Sequence, residues 1–219
     1  MKVIPLQSGS KGNCFYIESN DTRLLIDAGI SPRQTVLRLA SHERDIENVD
    51  CLLLTHDHSD HSRYVDALSS RFGLPVYLTS KTREALHRQS RVNGSDDYRC
   101  FVAGDSLNIG ALQVHSIPTP HDAADGVAYV IEDDQYRVGI LTDLGHPFDG
   151  LRDVLNSLDA VVLESNYDET LLDNGSYPEF LKRRIRGPGG HLSNLEAAQL
   201  VHHHAGQKLQ WVCLCHLSG

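Results

Sequence analysis

The sequence predicts a layered α/β domain, on three observations. Short apolar runs bounded by turn residues alternate with segments of helical periodicity, the N-terminal part is β-rich, and no linker, repeat or low-complexity stretch interrupts the pattern. "NCFYIES" and "TRLLIDAG" read as strands joined at Asn20-Asp21, residues that favour a tight turn. "SPRQTVLRLASH" opens a helix, with Ser31 as N-cap and Pro32 at the first helical position. "DCLLLTH" is a short buried strand, and "HSRYVDALSSRFG" has the periodicity of a helix that Gly73 stops. The strand "PVYLT" and the helix "SKTREALHRQSR" follow. Further strands are expected around Leu107–Ile109, Leu112–Ile117, Val127–Glu132 and Tyr136–Thr142, the last two joined at Asp133-Asp134. A helix near Phe148–Ser157 precedes the strand "DAVVLES". Helices near Tyr177–Arg186 and Ser193–Ala205 precede the last strand, "LQWVCLCH".

At 219 residues the chain is long enough for one domain with a substantial core. No apolar run approaches the ~20 residues of a membrane span, and "MKVIPLQSGS" lacks the apolar stretch of a secretory signal. Five scattered cysteines, with no C-x-x-C pair, read as thiols in a reducing compartment, so a cytoplasmic protein is expected. The net charge of −9 argues against a surface that grips nucleic acid everywhere. It leaves room for a local basic groove, or for a site whose carboxylates a metal neutralises.

The densest chemistry lies in "LLLTHDHSDHSRY", where three histidines and two aspartates fall within six residues after an apolar run. Residues two apart in an extended segment point the same way, so His56 and His58 can present two imidazoles to one ion. The chain then turns into a helix, and Asp60 and His61 can face a neighbouring position. Nitrogen and carboxylate ligands suit zinc, manganese or iron. Further ligands should come from other strand ends: His121 in "TPHDA", Asp143 in "LTDLG" and His216 in "CLCHLSG". Asp143, with two oxygens, is able to bridge two ions.

The ordered set "LLIDAG", "THDHSDH", "PH", "TDLG" and a late strand-end histidine resembles the metallo-β-lactamase superfamily over essentially the whole chain. The resemblance implies a single domain over residues 1–219, folded as a four-layer αβ/βα sandwich of two mixed β-sheets flanked by helices. It implies two divalent metal ions at one edge. One would take His56, His58 and His121; the other Asp60, His61 and His216, with Asp143 bridging. Asp27 matches a carboxylate that supports such sites from outside the ligand set. Members usually continue beyond the position of Gly219, so a C-terminal tail is expected. Without it His216 would sit on a fraying terminus.

Substrate class rests on "SGSKGNCFY", "LESNYDETLL" and "GPGGHLSNLEAA", which resemble the YycJ/WalJ-type branch, exonucleases acting on DNA. The third motif also carries its own physics. Ser193 and Glu196 form a capping-box pattern, a helix N-terminus favours phosphate, and Gly189-Gly190 would let a ligand approach the backbone. Upstream, Lys182, Arg183, Arg184 and Arg186 are either a solvated helix face or part of a phosphate-binding surface. Candidate substrate contacts are therefore Ser10, Asn13, Asn166, Ser193, Asn194, Arg183 and Arg184. Gly9, Ser10, Gly12 and Asn13 border the site or simply make a turn. His191 either assists at the phosphate or packs as a capping histidine, and His146 lines the pocket or does not. His202–His204 read as surface, because consecutive helical residues do not converge on one ion.

The function this implies is phosphodiester hydrolysis by a dinuclear, metal-activated hydroxide. Asp60 would hold or receive the water's proton, and His191 would donate to a phosphoryl oxygen or protonate the leaving group. Removal of nucleotides from the 5′ end of single-stranded DNA is implied by the resemblance alone. A hydrolase of thioesters or small phosphodiesters would use nearly the same ligands. The glyoxalase type, however, adds a C-terminal helical region for which no residues remain. A catalytically silent nucleic-acid-binding member would be expected to lose ligands, and this sequence keeps all seven.

Overall fold

The computed structural model describes residues 1–92 and 97–218. One sheet holds β1 (Lys2–Gln7), β2 (Cys14–Ser19), β3 (Thr22–Ile26), β4 (Cys51–Leu53), β5 (Val76–Thr79) and β6 (Tyr98–Phe101), in that order. Its first three strands run antiparallel, and β3 to β6 run parallel. The other sheet holds β7 (Ser106–Ile109), β8 (Leu112–Pro118), β9 (Val127–Glu132), β10 (Arg137–Leu141), β11 (Ala160–Glu164) and β12 (Trp211–Cys215). There β7 to β10 are antiparallel and β10 to β12 parallel.

Both sheets are covered on both faces, which explains their nearly unbroken apolar runs. In β2, Phe15 and Ile17 pack between the sheets against Tyr129, Ile131 and Val162. Cys14 and Tyr16 point the other way, into a core shared with α1 (Pro32–Ala40), α3 (Val65–Phe72) and α4 (Ser80–Arg88). The second sheet's outer face packs on α5 (Leu151–Asn156) and α8 (Asn194–His204) through Leu151, Leu155, Ala197 and Leu200. The result is the αβ/βα sandwich. Among the described residues no helix is long and apolar enough to cross a membrane.

Most elements stand where the sequence puts them, and Ser31 caps α1 through the Gln34 amide. The segment after His61 differs. It forms α2 (Ser59–Ser62) and then α3, with a break at Tyr64. The cause is Ala28, whose amide donates to the His61 carbonyl at 2.6 Å and whose carbonyl accepts from the Tyr64 amide at 2.9 Å. A neighbouring segment thus takes the backbone groups that a continuous helix would use. The next residue sets the spacing: a Cβ on Gly29 would lie 1.8 Å from the Asp60 carbonyl oxygen and 2.4 Å from the Asn13 amide. Gly29→Ala is therefore expected to push out the Asp60–His61 turn, costing about 1–3 kcal/mol. A lowered melting temperature together with weakened metal binding checks this.

Among the described residues, the short 3₁₀ turn Ile46–Asn48 and three larger elements escape the sequence reading. Pro5 hides β1, an edge strand whose register shifts between Pro5 and Gln7, where a missing N–H is tolerated. The other edge strand, β6, is short and largely exposed. The six-residue α6 (Glu169–Asn174) starts from Asp168, whose side chain accepts from the Leu171 amide. One consequence of the topology matters most for function. The C-terminal ends of β3, β4, β8, β10, β11 and β12 deliver Asp27, His56, His121, Asp143, Glu164 and His216 to a common edge.

Candidate metal centre

Seven predicted ligands converge there, six of them in two separate groups and Asp143 between these. Donor atoms of His56, His58 and His121 lie within 4.8 Å of one another, as do those of Asp60, His61 and His216. His58 Nδ1 is 3.1 Å from His121 Nε2, and Asp60 Oδ2 is 3.4 Å from His216 Nε2. Asp143 stands between the groups, 3.1 Å from His61 Nε2 and 3.6 Å from both His121 Nε2 and His216 Nε2.

The outer nitrogens of the rings are anchored, which turns the inner ones toward the centre. His61 Nδ1 donates to Asp27 Oδ2 at 2.6 Å, and His121 Nδ1 donates to the Gly190 carbonyl at 2.8 Å. His56 Nδ1 lies 2.9 Å from Thr55 Oγ1, which itself donates to Asp27. His216 is firmly seated rather than fraying: it is buried, its amide donates to Ser8 Oγ, and its carbonyl accepts from the Asn166 side chain. The tail position Gly219 lies outside the described residues. Asp27, Asp143 and His216 all have positive φ, 67°, 52° and 56°, a strain of about 1–3 kcal/mol each that clusters at functional sites.

His56 Nε2 is buried without a hydrogen-bond partner among the described residues, and Asp143 Oδ2, equally buried, meets only the ion-pair contact with His61 Nε2 at 3.1 Å. An orphan such as His56 Nε2 costs about 1–3 kcal/mol, and a cation between the two atoms would satisfy both. The electrostatics agree. Burial, reinforced by His61, pushes the His56 imidazole well below the usual histidine range, into the neutral form that ligates. Burial opposes charge on His61 too, but Asp143 and Asp27 outweigh it and hold that ring well above the range. At His216 burial loses to Asp143, Asp60 and Glu164, and the imidazole rises to about 10. Burial likewise works against the Asp143 carboxylate, yet His216 and His61 keep it well below its ordinary value. Asp143 is thus ionised where the two groups meet, and a cation bound there would take the place of the protons on His61 and His216. A nitrogen and oxygen donor set of this kind fits divalent zinc, manganese or iron.

Asp27 is fully buried and also accepts from the Thr55 amide at 2.8 Å. Asp27→Asn keeps that oxygen but loses the charge facing His61, so metal affinity is expected to fall about 10–100-fold. Titration with Zn²⁺ against a competing chelator checks it.

Glu164 is a carboxylate of the cluster that sequence reasoning missed. Wholly buried at the end of β11, it accepts from His191 Nδ1 at 2.6 Å and from the Leu144 amide at 2.8 Å. It also lies 3.5 Å from His216 Nδ1 and accepts from the Leu192 amide. One carboxylate thereby ties His191 and His216 to the loop that carries Asp143. The available signal was a carboxylate at the end of the apolar run "DAVVLE".

The cluster opens into a cavity of about 310 Å³ whose walls include Ser10, Asp60, Asp122, Asn166, Arg184 and His191. Other candidate contacts lie elsewhere. Asn13 is fully buried beneath the cluster, its amide nitrogen 2.9 Å from His61 Nε2 and its oxygen accepting from Gly9. Ser193 is also fully buried: its hydroxyl accepts from the Glu196 amide, while its own amide donates to the Glu196 carboxylate. The Asn194 amide goes to the Tyr167 carbonyl, so this helix start is largely satisfied by the protein itself. Gly190 makes room for its own chain, since a Cβ there would meet the Ile185 carbonyl at 2.1 Å.

The basic run is largely neutralised. Lys182 is buried against the Asp173 carbonyl, Arg186 pairs with the Asp173 side chain, and Arg184 forms a forked pair with Asp122 at 2.7 and 3.1 Å. Arg183 is exposed and has no ion pair among the described residues. His146 donates to the Pro188 carbonyl and is absent from the cavity wall. His202 and His203 are exposed on α8, far along the helix from Ser193.

Comparison with known proteins accords with this geometry. The β-lactamase superfamily domain matches residues 22–216. The chain is 34% identical over 213 residues to exodeoxyribonuclease YycJ of Bacillus anthracis, covering 97% of this chain and 81% of that protein. Identity to exodeoxyribonuclease WalJ of Streptococcus pneumoniae is 34% over 215 residues, covering 97% and 80%. Among solved structures, the metallo-β-lactamase fold protein YhfI of Bacillus subtilis superposes with a TM-score of 0.74 at 20% identity, covering 98% of this chain and 85% of that one. The short form of human tRNase Z gives 0.74 at 16% identity, covering 100% and 93%. These two likenesses speak for the fold. By matched domain and by sequence identity, the chain belongs to the β-lactamase superfamily, on the branch of the YycJ and WalJ exodeoxyribonucleases.

Proposed function

We propose that this protein is a metal-dependent phosphodiester hydrolase, a DNA exonuclease that removes nucleotides from the 5′ end of single strands and works with two divalent ions. The observation that carries the reading is the convergence of seven side chains able to ligate metal, four of which (His58, Asp60, Asp143 and His216) line one open cavity together with His191. The exodeoxyribonuclease names of the YycJ and WalJ relatives support DNA as substrate; the 5′ polarity rests on the resemblance to that branch. Free cysteines throughout fit a cytoplasmic setting.

Divalent ions bound here would supply Lewis acidity, lowering the pKa of a water and offsetting charge on the phosphate oxygens. The chain's own residues do the rest. Asp60 Oδ2 faces His61 and His216 at 3.5 and 3.4 Å, positioned to accept the proton of the attacking water. His191 has given its Nδ1–H to Glu164, so Nε2 is the atom left to serve a substrate in the cavity. As the P–O bond breaks, a protonated Nε2 donates to the departing oxygen or to a phosphoryl oxygen. The forked Arg184–Asp122 pair limits the free positive charge at the rim.

A time course on 5′-labelled and 3′-labelled single-stranded DNA with Mn²⁺, using His58→Ala as control, tests this. Early release of the 5′ label as a mononucleotide, lost in the variant, is the expected result. A metal-loaded protein that leaves DNA intact while cleaving a thioester or a small phosphodiester would overturn it.

A further inference from the structure

A second groove, of about 420 Å³, opens beside the metal-lined cavity. The two share Asn166, Tyr177 and Ser218, so those residues form a common wall. The groove volume falls in the range of about 300–1,000 Å³ typical of small-ligand clefts. Its character differs from that of the metal cavity. Leu171, Tyr177 and Leu217 line it with exposed apolar surface, at 73%, 38% and 56% exposure. Among the described residues no Lys or Arg lines it, and the one charged side chain there, Asp168, is committed to capping α6 through the Leu171 amide. A phosphate would find no counter-charge here.

Polar groups remain available on the same walls. The Asn194 side-chain oxygen accepts from Ser165 Oγ at 2.7 Å, leaving its NH₂ without a partner among the described residues. The Tyr177 hydroxyl likewise has none. A flat, uncharged group with apolar faces and hydrogen-bonding edges matches this lining, and a nucleobase is such a group.

We propose that this groove seats the base of a nucleotide next to the scissile phosphate, with Tyr177 as its stacking platform and Leu171 and Leu217 completing the apolar bed. The proposal rests on the phosphodiesterase reading above and adds to it how the strand is held. A phosphate lying over the metal cluster and a base turned across the shared wall account for both cavities with one substrate. Stacking of one base on an aromatic ring is sequence-tolerant, which suits an exonuclease that must accept every base in turn. Asn194, with its free NH₂, is placed to bias that tolerance toward bases bearing an acceptor at the edge it meets.

The test uses the metal-loaded protein with short phosphorothioate-linked single strands carrying 2-aminopurine at successive positions. Fluorescence reports stacking without turnover. Quenching at one position is expected, lost in Tyr177→Ala and kept in Tyr177→Phe. In parallel, KM for a cleavable strand is expected to rise about 5- to 100-fold when the base at that position is removed. Tyr177→Ala should erase this difference between normal and abasic strands. Equal KM for the two strands in the wild-type protein, or quenching unchanged by Tyr177→Ala, would overturn the base seat while leaving the phosphodiesterase reading intact. Failure to cleave any strand would overturn that reading instead.

Discussion

Asp143→Ala is expected to abolish stable occupancy of the metal centre and to lower phosphodiester hydrolysis by more than about 100-fold. The lower bound follows from the cost of losing a mere outer partner of a ligand, about 10–100-fold; Asp143 is proposed as a ligand itself. It lies within 3.1–3.6 Å of His61, His121 and His216, so its removal affects both ligand groups. It also leaves His61 and His216 without the carboxylate that outweighs their burial. Metal analysis after dialysis and initial rates with Mn²⁺ read the effect. The accompanying thermal signature is specific: a wild-type protein at a metal concentration 100 times Kd gains about 2.7 kcal/mol, and the variant should lose most of that gain. Retained metal content with normal rates would remove Asp143 from the centre.

Glu164→Gln should be nearly as damaging although Glu164 is not among the seven predicted ligands. Its carboxylate accepts at both oxygens, from His191 on one side and from the Leu144 and Leu192 amides on the other. A glutamine must turn an NH₂ toward one of those donor sets, leaving buried groups unpaired at about 1–3 kcal/mol. The expected kinetic loss is about 10–100-fold in kcat, with KM changed less, because the residue positions His191 rather than touching substrate. Burial raises the Glu164 carboxyl, but hydrogen bonds from His191 and His216 bring it below its ordinary value. The wild-type group is therefore ionised at neutral pH, and the amide removes a real charge. A fall in melting temperature with kcat intact would reduce Glu164 to a structural residue.

The predicted ligand cluster was legible because its members obey local rules. His56 and His58 share a side of an extended segment, Asp60 and His61 follow at the turn into a helix, and His121, Asp143 and His216 follow short apolar strands. Asp27 was legible through its motif. What escaped depended on contacts between residues far apart in the chain. The break at Tyr64 is caused by Ala28, and the charge of Arg184 is cancelled by Asp122, 62 positions away. Asn13 and Ser193 look like ligand-facing polar residues until burial shows them holding a turn and a helix start. Glu164 reads as an ordinary strand end because its partners, His191 and His216, come from two later segments. Pro5 masked a real strand, since only its edge position makes the missing donor harmless.

The central claim, a two-ion centre built by these seven side chains, is tested most directly by anomalous diffraction from crystals grown with Mn²⁺ or Zn²⁺. Two peaks about 3.5–4 Å apart are predicted. One should lie among His56, His58 and His121, the other among Asp60, His61 and His216, with Asp143 against both. A single peak, or metal bound away from this cluster, would contradict the account.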